Sequence, residues 1–560
     1  MHSSHSDVNI HEVRATLKQL FYPERRFIRV VLVYGLAISL LTLAVPIAVQ
    51  TLINTVANIG SRQAIVSLAG VLLVTLLLSA GLSALRTMVM ERYERHVYAR
   101  LTAELSFTFL SASPSYFEGR RNLDTPQRYF DIMTLQKNLP TLLIDGFAFI
   151  LQALVGFTLV SYYHPSLFLF NLVIIGVIWL IWKAWGKGAI RSAVLLSRAK
   201  YHTSKWLTDI GQAHDFFKSN AQIEFACNKT DQVTAEYINA HKSHFRYTFA
   251  QTLMYLLLYA LASASLLGIG GWLVTQGELS IGQLVAAELI LSAIFFGLSK
   301  FANYLKLYYE LCGAADELGL ALNVPVERLT QAEGVTPEDS GLQFYQVDVT
   351  SAIESRSLCL TLQPSDKVMA VTDHVWMQRE IVSLLKRYHE PKSGWVRLGG
   401  KDLADYDIHH LRQNVSVIDR NLIVECSIVD YFKMAKPDAT ISEIHDVIDF
   451  VGLESGVNRL SDGINTLLSP QGSPFVPAEF LLLKLAAAIL SQSQVIILTP
   501  HFDSLPHKQL ELLLNRLQLL NATMIYFTNA PQTPGFDYCL PLDWAINSTA
   551  AGCNNEEDRS

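Results

Sequence analysis

Ala64–Leu85 reads AIVSLAGVLLVTLLLSAGLSAL, 22 residues without one Asp, Glu, Lys or Arg. A helix apolar all round is either a core helix of a large protein or a membrane span. The hydrocarbon core is about 30 Å thick and needs roughly 20 apolar residues, so the length of this run selects the span.

Working outward, five more runs of comparable length follow the same rule: Phe27–Gln50, Pro140–Tyr163, Ser166–Trp182, Phe249–Val274 and Ile281–Phe301. All six lie before residue 305. Composition agrees: 50% of the 560 residues are hydrophobic and 17% charged, against roughly 25% charged in ordinary soluble proteins. Mean hydropathy is +0.26. These values exclude a simple soluble enzyme and a disordered chain. A net charge of −6 excludes nucleic acid as the main partner. The six cysteines are scattered without a CxxC pair, which predicts reduced thiols and neither a disulfide framework nor a zinc site. The first span is too long for the apolar region of a signal peptide and lacks a small-residue cleavage site, so it is expected to stay as an anchor.

The connections alternate between short turns (Ala57–Gln63, His164–Pro165, Thr275–Ser280) and long polar stretches (Arg86–Leu139, Lys183–Tyr247). Arg86, Arg92, Arg95, Arg100, Arg120, Arg121, Lys187, Arg191, Arg198 and Lys200 lie in the long stretches, whereas the short turns offer only Arg62. The positive-inside rule then puts both termini and the long stretches in the cytoplasm. Ahead of the first span, Val13, Leu17, Leu20 and Phe21 recur at helical spacing beside Arg14 and Lys18, which predicts an interfacial amphipathic helix. Trp179, Trp182 and Trp185 fit a membrane interface.

From Gly341 the texture changes to short apolar runs between helical patterns. Lys367–Val371, Val415–Ile418, Val495–Leu498 and Met524–Phe527 read as buried strands of an α/β domain. The expected organisation is a tail and interfacial helix over 1–26, a six-span domain over 27–325, an α/β domain over 340–545 and a disordered tail over 546–560, polar and acidic at its end.

Several stretches resemble a half-size ATP-binding cassette (ABC) exporter of the type I fold. "SPSYFEGRR" (Ser113–Arg121) is similar to the family's cytoplasmic-loop segment, and "TQGELSIGQLVA" (Thr275–Ala286) to its turn into the last membrane helix. Leu207–Gln222 resembles the helical segment running from the family's coupling helix. "YHEPKSGWVRLGGKDLADYDIHHLRQNVSVI" (Tyr388–Ile418) resembles the stretch between the phosphate-binding helix and the Q-loop. The resemblance implies an all-α six-helix membrane domain of the ABC transporter type 1 fold, followed by a cytoplasmic α/β domain of P-loop NTPase type. It also implies a multi-pass protein of the bacterial inner membrane.

The nucleotide motifs of that family do not carry over. A P-loop, G-x-x-x-x-G-K-[ST], wraps backbone N–H groups round phosphates and places Lys on their oxygens. Here Thr372 and Met377 stand where the two glycines belong, Gln378 replaces the Lys and Arg379 the Ser/Thr. Ser351 sits where an aromatic residue would stack on adenine, and Arg420 takes the place of the Q-loop glutamine. "FVPAE" (Phe475–Glu479) replaces the LSGGQ signature. Thr499 and Pro500 replace the Asp-Glu pair after the strand Val495–Leu498, and Asn529 replaces the switch histidine. Asp503 and Glu380 are the nearest spare carboxylates, and neither follows a strand in register.

In such exporters two cassettes sandwich two nucleotides, each between one P-loop and the other subunit's signature. An intact partner would therefore complete neither site. The expectation is an exporter-like subunit for peptide, protein or lipid export whose cassette has become an accessory or regulatory domain, with no catalytic residue and no cofactor of its own. ATP and magnesium would be met only through a partner. The partners implied are the lipid bilayer, a second copy or an intact ABC exporter subunit, and a periplasmic adaptor. A homodimeric scaffold without a transport cycle, or a transporter driven otherwise, stays open as an alternative. Glu288 and Asp145 are the candidate intramembrane polar residues, since charge in hydrocarbon is costly and often functional. His409–His410 lacks the companions of a metal site, and no metal is expected. Only about 26 residues precede the first span, well below domain size, so no peptidase domain and no cargo processing are expected.

Overall fold

The computed structural model describes residues 8–58, 62–117, 122, 124–327, 337–350, 355–372, 375–529, 536 and 538–542. The chain divides into two compact units, residues 1–326 and 327–560.

The first unit is helical: α1 (Ile10–Phe21), α2 (Arg25–Thr42), α3 (Ala44–Asn58), α4 (Arg62–Leu110), α5 (Pro114–Phe117), α6 (Phe130–Thr141), α7 (Phe147–Tyr163), α8 (Pro165–Gln212), α9 (Asn220–Thr275) and α10 (Ile281–Leu322). Among the described residues six helical stretches are long and apolar enough to cross a membrane, the first running through α1, α2 and α3 and the third through α6 and α7. Local chemistry sets their starts. Ser219 with Gln222, and Ser280 with Gln283, form reciprocal capping boxes that open α9 and α10. His164 Nδ1 accepts from Ser166 N at 3.1 Å ahead of Pro165 at the start of α8. Pro140 lies inside α6 and has no N–H to give; directly after it the helix widens into a π-turn over Leu142–Gly146.

The polar stretches Arg86–Leu139 and Lys183–Tyr247 are largely helix rather than loop. α4, α8 and α9 extend their spans as unbroken helix, for 49, 48 and 56 residues in all. An apolar stripe explains this: Met90, Tyr93, Val97, Leu101 and Leu105, at steps of three and four, are each at most 3% exposed in one cluster with α1, α6, α8 and α10. Leu207–Gln222 covers the end of α8, the turn 213–219 and the start of α9, and in that turn Phe217 packs edge-on against Trp206 and Phe216.

The expected interfacial helix at the N-terminus is corrected in its setting. α1 forms, capped by Asn9, whose side chain accepts from His11 N at 3.1 Å. Its apolar face is spent on protein instead of lipid: Val13, Leu17 and Leu20 are buried in the cluster that includes Leu311, Ala315 and Leu318 of α10. Thr16 sits against Gly319, where a Cβ would come within 3.0 Å of its methyl group. That contact lies 18 residues past Phe301, about 27 Å along the helix, far from an interface at the end of that span.

The second unit pairs two sheets. An antiparallel sheet in the order β2-β1-β4-β5 is built from β1 (Leu342–Thr350), β2 (Ser355–Leu362), β4 (Trp395–Leu398) and β5 (Lys401–Asp402). A parallel sheet in the order β11-β3-β10-β9-β6 is built from β3 (Lys367–Val371), β6 (Val415–Ile418), β9 (Val495–Leu498), β10 (Thr523–Phe527) and β11 (Tyr538–Pro541). A short ladder joins β7 (Cys426–Ser427) and β8 (Leu467–Leu468). β9 and β10 are buried along their whole length, as strands covered on both faces must be. One core, with Met377 and Ile381, lies towards α11 (Val375–Leu385), α12 (Ile408–Asn414) and the antiparallel sheet. The other side is filled by α13 (Ile428–Ala435), α14 (Ile441–Phe450), α15 (Glu454–Asn458), α16 (Pro477–Leu490) and α17 (His507–Leu517). Gly394 has φ +76°, and a Cβ there would lie 2.2 Å from Tyr345 O, so the turn into β4 requires glycine. Cys227, Cys312, Cys426 and Cys539 are free thiols.

Candidate functional site

The carboxyl ends of β3, β6, β9 and β10 form one edge of the parallel sheet, the place where α/β proteins bind ligands. Thr372 follows β3, and α11 begins at Val375. Met377 is fully buried in the core between the sheets, and Thr372 Oγ1 donates to its sulfur at 3.8 Å. Gln378 is half-buried and Arg379 exposed. Glu380 pairs with His389 at 3.4 Å, outside the edge itself. A backbone cradle for phosphate depends on glycines that let N–H groups converge on the anion. From Val371 to Arg387 there is none.

After β9, Thr499 is 4% exposed and gives its hydroxyl to Ile418 O at 2.7 Å, lacing β9 to β6. Pro500 opens a 3-10 turn that carries Asp503. The Asp503 carboxylate accepts from Thr528 Oγ1 at 2.9 Å, from Asn529 N at 3.0 Å and from the Tyr526 hydroxyl. Burial, with Asp503 alongside, pushes the Tyr526 phenol well above its usual range, so it stays a donor. Asn529 thus enters through its backbone.

Arg420, past the end of β6, is exposed. Its neighbour Asp419 meets Lys484 of α16, whose ammonium is 3.5 Å from the carboxylate and donates to the carbonyls of Asp419 at 2.9 Å and Asn421 at 2.6 Å. Burial lowers the Lys484 pKa and Asp419 opposes the shift. The segment Phe475–Glu479 starts α16 with Pro477 in its first turn. Glu479 reaches back to accept from Val476 N at 3.1 Å and pairs with the Arg459 guanidinium. The positive end of the α16 dipole is therefore met by a carboxylate of the same chain.

The structure gathers Thr372, Arg420, Thr499, Pro500 and Asn529 along one edge and sends Met377 into the core. Glu479–Arg459, Asp503 and Lys484 were missed as partners in the sequence. A Glu two residues after a Pro at a helix start is a readable capping signal, whereas the contacts of Asp503 and Lys484 with residues 25 and 65 positions away leave no local mark.

In the membrane unit, Glu288 is half-buried, and one carboxylate oxygen accepts from Ser292 at 2.6 Å. A cavity of about 190 Å³ opens beside the same helix among Leu289, Ile290, Ala293, Gln152 and Thr42, without Glu288 in its wall. Asp145 is exposed on the π-turn.

Residues 28–299 match the family model described as the ABC transporter transmembrane region. The first unit is an ABC transporter transmembrane region, in a multi-pass membrane protein homologous to ABC exporters over most of the chain. Over 501 residues, 87% of this chain and 70% of the relative, it is 22% identical to the leukotoxin translocation ATP-binding protein LktB of Mannheimia glucosida. It is also 22% identical to the exotoxin translocation ATP-binding protein PaxB of Pasteurella aerogenes, over 87% of this chain and 69% of that one. A bacterial Atm1-family ABC exporter solved with ATP bound shares the fold, with a TM-score of 0.78 and 17% identity over 94% of each chain.

Proposed function

We propose that this chain is an exporter subunit whose cassette does not use ATP and serves as an accessory or regulatory half. ABC exporters work as dimers in the membrane, and the partner we infer is an intact exporter subunit that supplies hydrolysis. The carrying observation is that Thr372–Arg379, Phe475–Glu479 and Thr499–Pro500 all depart from the nucleotide motifs, while both cassette cores remain closely filled. The residues at the cradle do not fit a nucleotide phosphate: Met377 anchors the turn into the core, Gln378 brings no charge, and no carboxylate follows β9 directly to hold magnesium. The relatives' names speak of toxin translocation, from which we take polypeptide export as the cargo class. The alternating charges of the connections support a cytoplasmic cassette and the inner membrane of a bacterium, with an adaptor on the other side.

The experiment is gentle extraction of the native complex, identification of its subunits by mass spectrometry, and assay of the complex for ATP hydrolysis. An intact cassette protein in a hydrolysing complex supports the reading. A chain that comes out only with itself and without activity supports a homodimeric scaffold, and saturable micromolar Mg-ATP binding by the purified chain alone overturns the proposal.

A further inference from the structure

The cavity beside α10 is walled by three spans of one chain: the break between α2 and α3, the middle of α7, and α10. Its floor is Leu43, Ile290 and Ile294, which are 8%, 3% and 3% exposed, and its rim is Val45 and Leu289, 39% and 40% exposed. All of these fall inside the first and sixth apolar runs, so the cavity lies at the depth of the hydrocarbon layer and opens past the two rim residues.

Two polar groups of the wall have no partner. Pro46 has no N–H to return to Thr42 O, four residues back, and no other hydrogen bond reaches that carbonyl among the described residues. The Thr42 hydroxyl is given to Ser39 O at 2.9 Å. Gln152 lines the same cavity from the middle of the third apolar run, and its amide makes no hydrogen bond among the described residues. At membrane depth, backbone groups freed by a proline are re-satisfied by neighbours or water, because bare polar groups in hydrocarbon are costly. Thr42 O only accepts, whereas the Gln152 amide both donates and accepts. One hydroxyl group serves both, giving its proton to Thr42 O and accepting from Gln152 Nε2. The rest of the wall is apolar and carries no charge, which excludes an ion. At about 190 Å³ the space exceeds the roughly 150 Å³ apolar cavity that holds benzene.

We propose that this cavity is a binding site for an uncharged, single-ring apolar molecule bearing one hydroxyl group. The ligand enters from the membrane past Val45 and Leu289, and its hydroxyl bridges Thr42 O and Gln152. The site is separate from the sheet edge of the cassette and does not rest on the accessory reading.

The test is fluorine NMR of 4-fluorophenol and 4-fluorotoluene, which match in shape and differ by hydroxyl for methyl, with the full chain in lipid nanodiscs. Empty nanodiscs supply the background of partitioning into lipid. Saturable, chain-dependent broadening is expected for 4-fluorophenol, with 4-fluorotoluene bound about tenfold more weakly for want of both hydrogen bonds. Gln152→Leu keeps the volume and leaves only Thr42 O, so the preference is expected to fall to about threefold. Ala293→Phe fills the space from the wall and is expected to abolish both signals. Melting of each variant checks folding, and the comparison of the two probes on the wild type stands even where Ala293→Phe fails to fold. Equal affinity of the two probes for the wild type, an undiminished preference in Gln152→Leu, or saturable binding that survives in folded Ala293→Phe overturns the site. The absence of a chain-dependent signal from either probe also overturns it, in favour of water as the occupant.

Discussion

Arg128 Nε donates to Glu317 Oε2 at 2.8 Å, joining the segment ahead of α6 to the far end of α10 across 189 positions of sequence. Glu317 is 1% exposed, and its other oxygen has no partner among the described residues. Arg128 also approaches Asp124 at 3.6 Å and lies over the Tyr201 ring. Removing one member of a buried pair leaves the other charged and dry. Arg128→Ala is therefore expected to cost about 3–5 kcal/mol, whereas Arg128→Met with Glu317→Met falls near neutral. Thermal melting of the detergent-solubilised chain checks this; equal losses in the single and double variants would sink the argument.

Met377, fully buried at the start of α11, carries packing. Its side chain lies among Val368, Ala370, Ile381 and Phe527. Met377→Ala is expected to destabilise the second unit by about 2–5 kcal/mol through lost burial and a cavity. The measurement is the melting transition of that unit, read by hydrogen exchange of α11. A substitution that left α11 equally protected would mean that the side chain carries no packing.

The six spans and the parallel strands were legible because each rests on a local pattern. Ala64–Leu85 has no charge to place elsewhere, and Val495–Leu498 is apolar on both faces. The extensions of α4, α8 and α9 were less legible: their polar faces hide a stripe such as Tyr93–Val97–Leu101 whose partners are far in sequence. α1 was readable as an amphipathic helix, but periodicity does not say whether lipid or α10 takes its apolar side. At the sheet edge, the bonds of Asp503 and Lys484 are properties of the fold, because their partners lie 25 and 65 positions away.

Glu479 closes the start of α16 by accepting from Val476 N. Its pair with Arg459 is on the surface side, Arg459 being 68% exposed, so the ion pair itself contributes little. The carboxylate at the helix start is the larger part. Glu479→Ala is expected to cost about 0.3–1 kcal/mol and Glu479→Lys more, with the loss shrinking at high salt. Melting at low and high ionic strength tests this. Equal effects of the Ala and Lys variants would show that the helix dipole is not the cause.

Lys386 gives the second unit a pH dependence above neutrality. It begins the turn after α11, its ammonium 3.3 Å from Arg412 O, and burial, with Arg412 adding and Asp419 opposing, lowers its pKa from 10.5 to about 8. The folded value lies below the unfolded one. Between about 8 and 10.5 the unfolded chain holds a proton that the folded chain has released, so stability rises with pH across that window. The gain is complete above 10.5 and is lost as pH falls through about 8. Lys386→Met removes the titration and keeps the aliphatic stem, so its melting temperature is expected to stay flat between pH 8 and 10 and to match or exceed the wild type at pH 7. Melting curves of both proteins across that range decide the matter: a wild-type midpoint that falls steadily in parallel with the variant's excludes Lys386 as the titrating group.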